Sequence, residues 1–205
     1  MKILIVDDHV VVREGVRRLL AALPDTEVFE AASAREAMSL YRSKTPDVLL
    51  LDLNLLNSSG FELLRRLLLE NRQVKVVVLS MHAEPIYVSR TLNAGARGYV
   101  SKMASADELI AAVREVAAGG RYVEREIAAQ LVISQYGGTN PLEKLTTREI
   151  DIVRLLGEGE NFAAIASALG ITYKTVANAC SIIKGKLGVE RTSDLIRLTY
   201  QMQDH

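Results

Sequence analysis

Five polar residues in the first half of the chain follow short apolar runs, at the point where each run ends. They are Asp7, Asp8, Asp52, Ser80 and Lys102. Apolar runs that alternate with helical patterns predict parallel β-strands, and the ligand crevice of such a sheet lies beyond the carboxyl ends of its strands. We therefore expect these side chains, which are far apart in the sequence, to meet at one edge of a sheet.

This combination of side chains suits the binding and transfer of a phosphoryl group. Two carboxylates about 4 Å apart repel by about 4 kcal/mol at an effective dielectric near 20, and a hard cation such as Mg²⁺ relieves that repulsion. Lys102 and Ser80 offer a positive charge and a hydroxyl to phosphoryl oxygens. A carboxylate can also act as a nucleophile and carry the group as an aspartyl-phosphate. Asp52 follows a central strand and is the predicted nucleophile.

Residues 1–118 alternate between predicted strands and predicted helices. The strands are predicted at 3–6, 27–30, 48–51, 74–79 and 98–100, and the helices at 10–22, 34–43, 60–71, 85–94 and 106–118. Ser33 with Glu36 and Ser105 with Glu108 form S-x-x-E capping boxes at two helix starts. Five βα units with nearly continuous apolar strands predict an α/β fold, a flavodoxin-like doubly wound sheet of five parallel strands in the order 2-1-3-4-5.

The second half of the chain contains no predicted strand. Residues 121–136 have a helical pattern, and the next segment, QYGGTNPLE, has the composition of a flexible linker. Four short helical segments follow from residue 145. We predict a first domain at 1–120, a helical extension and linker at 121–142, and an all-α domain at 143–205.

The composition excludes several classes of protein. The chain has 205 residues with 25 Lys+Arg and 25 Asp+Glu, so no overall basic excess indicates nucleic-acid binding. One cysteine excludes an internal disulfide framework. No apolar run approaches the ~20 residues of a membrane span, and the apolar part of MKILIVDDHV is too short for a signal peptide. We expect a cytoplasmic protein with no membrane partner.

Residues 165–187 have the spacing of a helix-turn-helix. Ala166 lets two helices approach closely, Gly170 suits a sharp turn with positive φ, and Val176 fills the angle between the helices. The second helix of this motif enters the major groove of DNA. Upstream, Thr146 and Glu149 form a further capping box.

The first domain resembles the receiver domain of bacterial two-component response regulators. The resemblance covers residues 1 to about 120 and rests on IVDDH, the strand before Asp52, Ser80 after KVVVL, and GARGYVSK. It implies that Asp52 accepts a phosphoryl group from a histidine kinase. Asp8 and Asp52 would bind Mg²⁺ through their side chains. Asn54 would bind it through its backbone carbonyl, and Asp7 mainly through water.

The same resemblance has implications for the switch. Ser80 and Lys102 would hold the phosphoryl oxygens, and Tyr99 matches the aromatic position that turns inward on activation. Leu56 stands where the family usually has Pro, which removes a fixed φ from the loop after the acceptor strand. We interpret His82 either as a residue at the mouth of the pocket or as a surface residue that takes no part in the site.

Residues 143–200 resemble the four-helix LuxR-type DNA-binding domain, with matching motifs LTTRE, IASALGI, KTV and KLGV. By that resemblance six residues face DNA: Thr172, Tyr173, Lys174, Asn178, Ser181 and Lys184. The last helix, 193–203, would form a dimer face. Together the two resemblances make the chain similar to response regulators of the NarL/FixJ type. They imply an active homodimer on double-stranded promoter DNA, with RNA polymerase as a further candidate partner.

The predicted DNA-reading helix departs from that family in its charge. Ala177, Ala179 and Ser181 stand where the family commonly has Lys, His and Lys. Residues 140–205 contain eight Lys+Arg and eight Asp+Glu, although phosphate contacts by cations supply most non-specific affinity. Two interpretations fit. DNA binding is weak, dimer-dependent and relatively insensitive to salt, or the domain serves protein contacts.

These observations predict a transcription regulator that phosphorylation of Asp52 switches towards dimerisation and promoter binding. An enzyme is the first alternative, because haloacid-dehalogenase-type phosphatases also use an Asp nucleophile with Mg²⁺. Those enzymes have Asp-x-Asp, whereas residues 52–54 here read Asp-Leu-Asn. Beyond self-phosphorylation and autodephosphorylation we expect no enzymatic activity. The second alternative is a phosphorylation-independent adaptor or small-ligand-sensing module with weak DNA binding.

Overall fold

A computed structural model describes residues 1–55, 58–135 and 141–196 of the chain. Internal contacts divide the chain into two compact units, 1–132 and 133–205, and each is described by itself. Leu56, the predicted departure from the family, lies outside the described residues, as does most of the predicted last helix, 193–203. In the described part of the chain, no helix combines the length and apolarity needed to cross a membrane.

The first unit is built on a parallel sheet of six strands. They are β1 (Lys2–Val6), β2 (Glu27–Ala31), β3 (Val48–Leu51), β4 (Val76–Ser80), β5 (Gly98–Ser101) and β6 (Tyr122–Val123). Their order is β2-β1-β3-β4-β5-β6, so the predicted order of the first five strands is confirmed. The sixth strand, β6, was not predicted: it lies in the segment 121–136, for which the sequence predicts a helix, and that prediction is wrong at Tyr122–Val123. Two residues are too few to show a strand period, and β6 forms only because β5 supplies a partner edge.

Five helices cover the sheet, namely α1 (Val10–Leu20), α2 (Ala34–Lys44), α3 (Gly60–Glu70), α4 (Pro85–Ala94) and α5 (Ala106–Ala117). Alternate residues of a strand point to opposite faces. Leu4 and Leu49 pack in the core shared with α2, α3 and α4, whereas Ile3 and Leu50 pack in the core shared with α1 and α5. Both faces are therefore buried, as near-continuous apolar strands require.

A short antiparallel ladder follows the third strand, with Asn54–Leu55 paired to Ser58–Ser59. It leads directly into α3 and places residue 54 beside the end of β3. The capping hydroxyls predicted for two helices are also present. Ser33 accepts a hydrogen bond from the backbone N–H of Glu36, and Ser105 accepts one from Glu108. These caps fix where α2 and α5 begin.

The described part of the second unit is helical. After α6 (Arg125–Gln135), which spans the boundary of the units, come a 3₁₀ turn (Pro141–Lys144), α7 (Thr147–Gly157), α8 (Phe162–Ala168) and α9 (Tyr173–Leu187). Residues 192–196 are also helical, so the predicted four-helix domain is confirmed as far as the chain is described. The reciprocal capping box of Thr146 and Glu149 begins α7.

The turn between α8 and α9 has helix-turn-helix geometry. Gly170 has a φ of 63°, a left-handed conformation that glycine adopts without steric cost. The backbone N–H of Ile171 donates to the carbonyl of Ala166 at 2.9 Å. Val176 is fully buried where the two helices meet, and Ala166 is nearly so. The three positions singled out in the sequence thus make the sharp turn and its packed corner.

Candidate functional site

Strand pairing brings the predicted rim residues together. Asp7 and Asp52 follow neighbouring strands β1 and β3, and the N–H of Asp52 donates to the carbonyl of Val6 at 2.9 Å. On the other side, Ser80 ends β4 and Lys102 follows β5, with the N–H of Lys102 on the carbonyl of Ser80 at 2.8 Å. The backbone ladder therefore sets the positions of four side chains that are up to 95 residues apart in sequence.

A buried ammonium group joins the two central carboxylates. Lys102 Nζ lies 2.7 Å from Asp7 Oδ2 and 2.6 Å from Asp52 Oδ2. Both carboxylate side chains are 2% exposed and Lys102 is 9% exposed. Burial raises the pKa of the Asp52 carboxyl, and the hydrogen bond and charge of Lys102 act in the opposite direction. Burial also opposes the charge on Lys102, but the two carboxylates outweigh it and raise the pKa of that ammonium.

Candidate metal ligands cluster at the same place. Oxygen or nitrogen atoms of Asp7, Asp8, His9 and Asp52 all lie within 4.8 Å of one another. Three carboxylates facing one lysine leave an excess of negative charge, and carboxylate oxygen is the donor that Mg²⁺ prefers. The donor set therefore fits a magnesium ion. His9 is 63% exposed, with Nδ1 3.1 Å from Asp7 Oδ1 and 3.0 Å from Asp8 Oδ1.

The backbone of Asn54 also belongs to this site. Its N–H donates to Asp52 Oδ1 at 3.1 Å, which orients the Asp52 carboxylate. The ligand predicted here, the carbonyl oxygen of Asn54, remains a prediction. The exposed side chain of Asn54 turns to the next loop, where its Nδ2 lies 3.1 Å from His82 Nε2.

The two predicted switch residues are buried and share a partner. Ser80 and Tyr99 are both fully buried. The Ser80 hydroxyl accepts a hydrogen bond from the His82 N–H at 3.2 Å, and the Tyr99 hydroxyl donates to the His82 carbonyl at 2.6 Å. Burial raises the pKa of the Tyr99 phenol, so the hydroxyl stays protonated. The inward position is thus the one occupied in this structure, and its change on activation remains a prediction.

Of the two interpretations of His82, the one as a surface residue is wrong, and the one at the mouth of the pocket stays a prediction. Its side chain is largely buried, and its ring stacks on Tyr87 with centroids 4.5 Å apart. No sequence pattern predicts the burial of His82, because no apolar periodicity surrounds it. Its neighbour Met81 is 59% exposed. The stacking partner lies on α4 and becomes a neighbour only when the loop folds back.

Gly60 is a site residue that the sequence reasoning missed. It is the first residue of α3, and a Cβ added there would lie 2.0 Å from the carbonyl oxygen of Asp52 and 2.7 Å from Leu53 Cα. No side chain fits at such distances, so only glycine lets α3 begin against the backbone of Asp52 and Leu53. The available signal was a glycine at a predicted helix start shortly after Asp52.

Comparison with known proteins identifies the family. Residues 3–114 match the family described as "Response regulator receiver domain", and residues 143–199 match "Bacterial regulatory proteins, luxR family". The chain is a response regulator of the luxR family. It is 38% identical over 201 residues to the transcriptional regulatory protein UhpA of Salmonella typhimurium, covering 98% of this chain and 96% of that protein.

Other relatives of this response regulator agree with that assignment. The methanol utilization control regulatory protein MoxX of Paracoccus denitrificans is 36% identical over 201 residues, covering 96% of this chain and 89% of MoxX. A crystal structure of a LuxR-family response regulator from Aurantimonas sp. SI85-9A1 has a TM-score of 0.64 at 36% identity, covering 66% of this chain and 97% of that one. RcsB from Salmonella enterica serovar Typhimurium, bound to promoter rprA, shares the fold, with a TM-score of 0.67 at 24% identity and 97% of both chains covered.

The candidate DNA interface of this response regulator is the exposed side of α9. Val176, Cys180 and Ile183 form its buried stripe. The predicted contacts Lys174, Asn178 and Ser181 are exposed on the opposite side. Of the other three, Thr172 caps the helix by accepting from the Thr175 N–H, Tyr173 is 59% exposed beside Phe162, and Lys184 is half-exposed.

Proposed function

We propose that this response regulator is a DNA-binding transcription regulator that phosphorylation of Asp52 switches on. A histidine kinase is the donor and Mg²⁺ the cofactor. The observation that carries the proposal is the buried bridge from Lys102 Nζ to Asp7 and Asp52 at 2.7 and 2.6 Å. A lysine held between an acceptor carboxylate and a second acid is already where phosphoryl oxygens need a positive charge.

In the transfer step, an Oδ atom of Asp52 attacks the phosphorus of a phosphohistidine. The P–O bond forms as the P–N bond breaks, and the departing imidazole keeps the electron pair and takes up a proton. Lys102 leaves the carboxylate and pairs with the new phosphoryl oxygens. Asp8 and Asp52 through their side chains, Asn54 through its carbonyl and Asp7 mainly through water would hold Mg²⁺, which would supply further positive charge for those oxygens.

The switch follows from a new partner for the Ser80 hydroxyl. Ser80 Oγ accepts a hydrogen bond from the His82 N–H, and a phosphoryl oxygen on Asp52 offers a charged acceptor for the proton of that hydroxyl, which draws Ser80 and the bonded His82 loop towards the phosphoryl group. Tyr99 shares the His82 backbone, so a shift of this loop reaches β5 as well. A phosphoryl group can favour the active form only by binding it better, which these contacts provide.

The output is a dimer on promoter DNA. Two copies of α9 about 34 Å apart would enter successive major grooves. Thr172, Tyr173, Lys174, Asn178, Ser181 and Lys184 are the proposed contact residues, and RNA polymerase is a further proposed partner. No turnover is expected beyond self-phosphorylation and autodephosphorylation at Asp52.

Intact mass spectrometry tests the acceptor. The full chain is incubated with Mg²⁺ and acetyl phosphate, beside the variants Asp52→Asn and Asp47→Asn. Asp47 is the matched control because it lies at the opposite end of the same strand, where its Oδ2 accepts from the Lys2 N–H at 2.7 Å. We expect one phosphoryl group on the wild type and on Asp47→Asn, and none on Asp52→Asn. An unmodified wild type, or a modified Asp52→Asn, would refute the assignment.

The net-neutral composition of residues 140–205 favours a second candidate function, a phosphorylation-independent adaptor. A salt titration of DNA affinity with the phosphorylated chain separates the two. A regulator that binds DNA gives measurable affinity that falls with salt. An adaptor gives no measurable binding at any salt concentration.

A further inference from the structure

One side chain on the exposed side of α9 differs from its neighbours. Ile182 is 55% exposed, although isoleucine is among the residue types most often buried. It lies outside the buried stripe of Val176, Cys180 and Ile183, so it is not part of the buried core of the second unit. An exposed apolar side chain on this surface is available to a ligand.

Ile182 lies beside a candidate base-reading residue. Asn178 precedes it by four positions, which places the two side chains within about 40° of each other around the helix axis. Asn178 is exposed as well. The two therefore form one continuous strip, with an amide next to a branched apolar group.

The positive charges of α9 are few, and one is already used. The helix contains Lys174, Lys184 and Lys186. Lys186 Nζ lies 2.8 and 2.7 Å from the two carboxylate oxygens of Glu149 on α7. Base contacts by α9 must then supply the sequence specificity, since phosphate contacts carry no sequence information.

The chemistry of the strip selects one kind of base pair. In the major groove, adenine presents the N7 acceptor and N6 donor that an asparagine amide matches, and thymine presents a 5-methyl group suited to an apolar side chain. Guanine and cytosine offer neither match. We propose that α9 reads adjacent A·T base pairs, with Asn178 on an adenine and Ile182 on the methyl group of a thymine. This inference rests on the proposed DNA-binding function.

The test begins with selection from a random-sequence duplex library, using the full chain phosphorylated with acetyl phosphate and Mg²⁺. The enriched duplex is then remade with deoxyuridine in place of each thymidine in turn, which removes only the methyl group. For the wild type we expect one position in each half-site to lose about fourfold in affinity, the value of one buried methyl of about 0.8 kcal/mol. A 7-deazaadenine at the neighbouring base pair should cost about fivefold or more.

Three variants test whether Ile182 is the residue that senses the thymine methyl group. Ile182→Ala removes the contact from both half-sites of a dimer, so it should bind the thymidine duplex about 15-fold more weakly, fourfold for each half-site, and become indifferent to deoxyuridine. Ile182→Val should keep part of the response. Val132→Ala is the matched control, because Val132 is 56% exposed on α6, and it should respond as the wild type does. Circular dichroism checks that each variant is folded.

The outcomes are distinguishable. Enrichment of G·C pairs, a wild type indifferent to deoxyuridine, or a full response retained by Ile182→Ala would overturn this inference and leave DNA binding intact. If the chain carries phosphoryl on Asp52 by mass but enriches no duplex, the proposed DNA-binding function fails and the inference fails with it. A strip that instead contacts another protein would give that second result.

Discussion

Lys102→Met should destabilise the first unit in a way that Mg²⁺ reverses. The substitution keeps an apolar stem and removes the ammonium that lies within 2.7 Å of both Asp7 and Asp52. Breaking a buried ion pair by removing one partner costs about 3–5 kcal/mol. The repulsion between the Asp7 and Asp52 carboxylates that remain is of the same size as this cost. Their oxygen atoms lie no more than 4.8 Å apart, and two unit charges at that distance repel by about 3.5 kcal/mol or more at an effective dielectric near 20.

The pH dependence follows from the same carboxylates. Burial already raises the pKa of Asp52, and loss of Lys102 raises it further. The folded variant then binds protons more tightly than the unfolded chain, so its free energy of unfolding rises as pH falls. The deficit relative to the wild type should be largest near neutral pH and should shrink in acid. Mg²⁺ at 100 times its dissociation constant should restore about 2.7 kcal/mol, more than the wild type gains, because no ammonium competes for the carboxylates.

Urea unfolding of the full chain with and without Mg²⁺, together with hydrogen exchange of β3, measures these effects. Lys75→Met is the matched control, because Lys75 Nζ donates to the carbonyl of Ala117 at 2.5 Å and contacts no carboxylate in the described hydrogen bonds. The free energy of unfolding of Lys75→Met should be about 1 kcal/mol lower than that of the wild type at every pH, and Mg²⁺ should stabilise this variant only as much as it stabilises the wild type. A loss below about 1 kcal/mol for Lys102→Met, or an Mg²⁺ response equal to that of the wild type, would refute the reasoning.

Three further predictions concern other parts of the chain. Gly60→Ala should push the Asp52 backbone away and lower the rate of phosphorylation by acetyl phosphate, measured by intact mass. Gly15→Ala, with nothing near its added Cβ, should keep that rate and raise stability by about 0.5–1 kcal/mol. Lys174→Ala should make the slope of log affinity against log salt shallower by about 1.8 for a dimer; an unchanged slope would place Lys174 away from phosphate. Glu149→Gln should lower the free energy of unfolding by about 1–3 kcal/mol near neutral pH. The contact with Lys186 lowers the pKa of Glu149 against the effect of burial, so the wild type loses the stability that this contact gives as pH falls, and the difference between the two proteins disappears in acid. Equal losses at both pH values in urea unfolding would contradict that assignment.

The site was predictable to the extent that backbone pairing alone determines it. Apolar runs long enough to form strands fix which residues stand at the carboxyl edge, so Asp7, Asp52 and Lys102 could be placed together without any side-chain information. His82 could not, because its burial depends on a loop that folds back onto α4. Gly60 could not either, since its role is a close approach between two backbone segments that no sequence pattern records.

The second unit was predictable for a different reason. Its turn needs a left-handed residue and its corner needs a small and a branched residue, so three sequence positions, Ala166, Gly170 and Val176, report the geometry directly. The exposure of Ile182 is less visible, because an isoleucine next to the buried Ile183 reads as part of the same core stripe. Only the orientation of α9 in the structure shows that Ile182 is exposed whereas Ile183 is buried.

The strand β6 protects the first unit against pairing with other chains. At this edge the N–H of Tyr122 donates to the carbonyl of Arg97, just before β5, and the N–H of Glu124, just after β6, donates to the carbonyl of Tyr99. The Glu124 carboxylate accepts from the N–H of Ser101 at 2.7 Å. A fragment that ended at residue 120 would expose this edge, and bare edges template aggregation. A fragment that extends through α6 keeps the edge covered and retains Ile127 in the core. The segment that leads to the second unit therefore also protects the first unit against aggregation at the edge of its sheet.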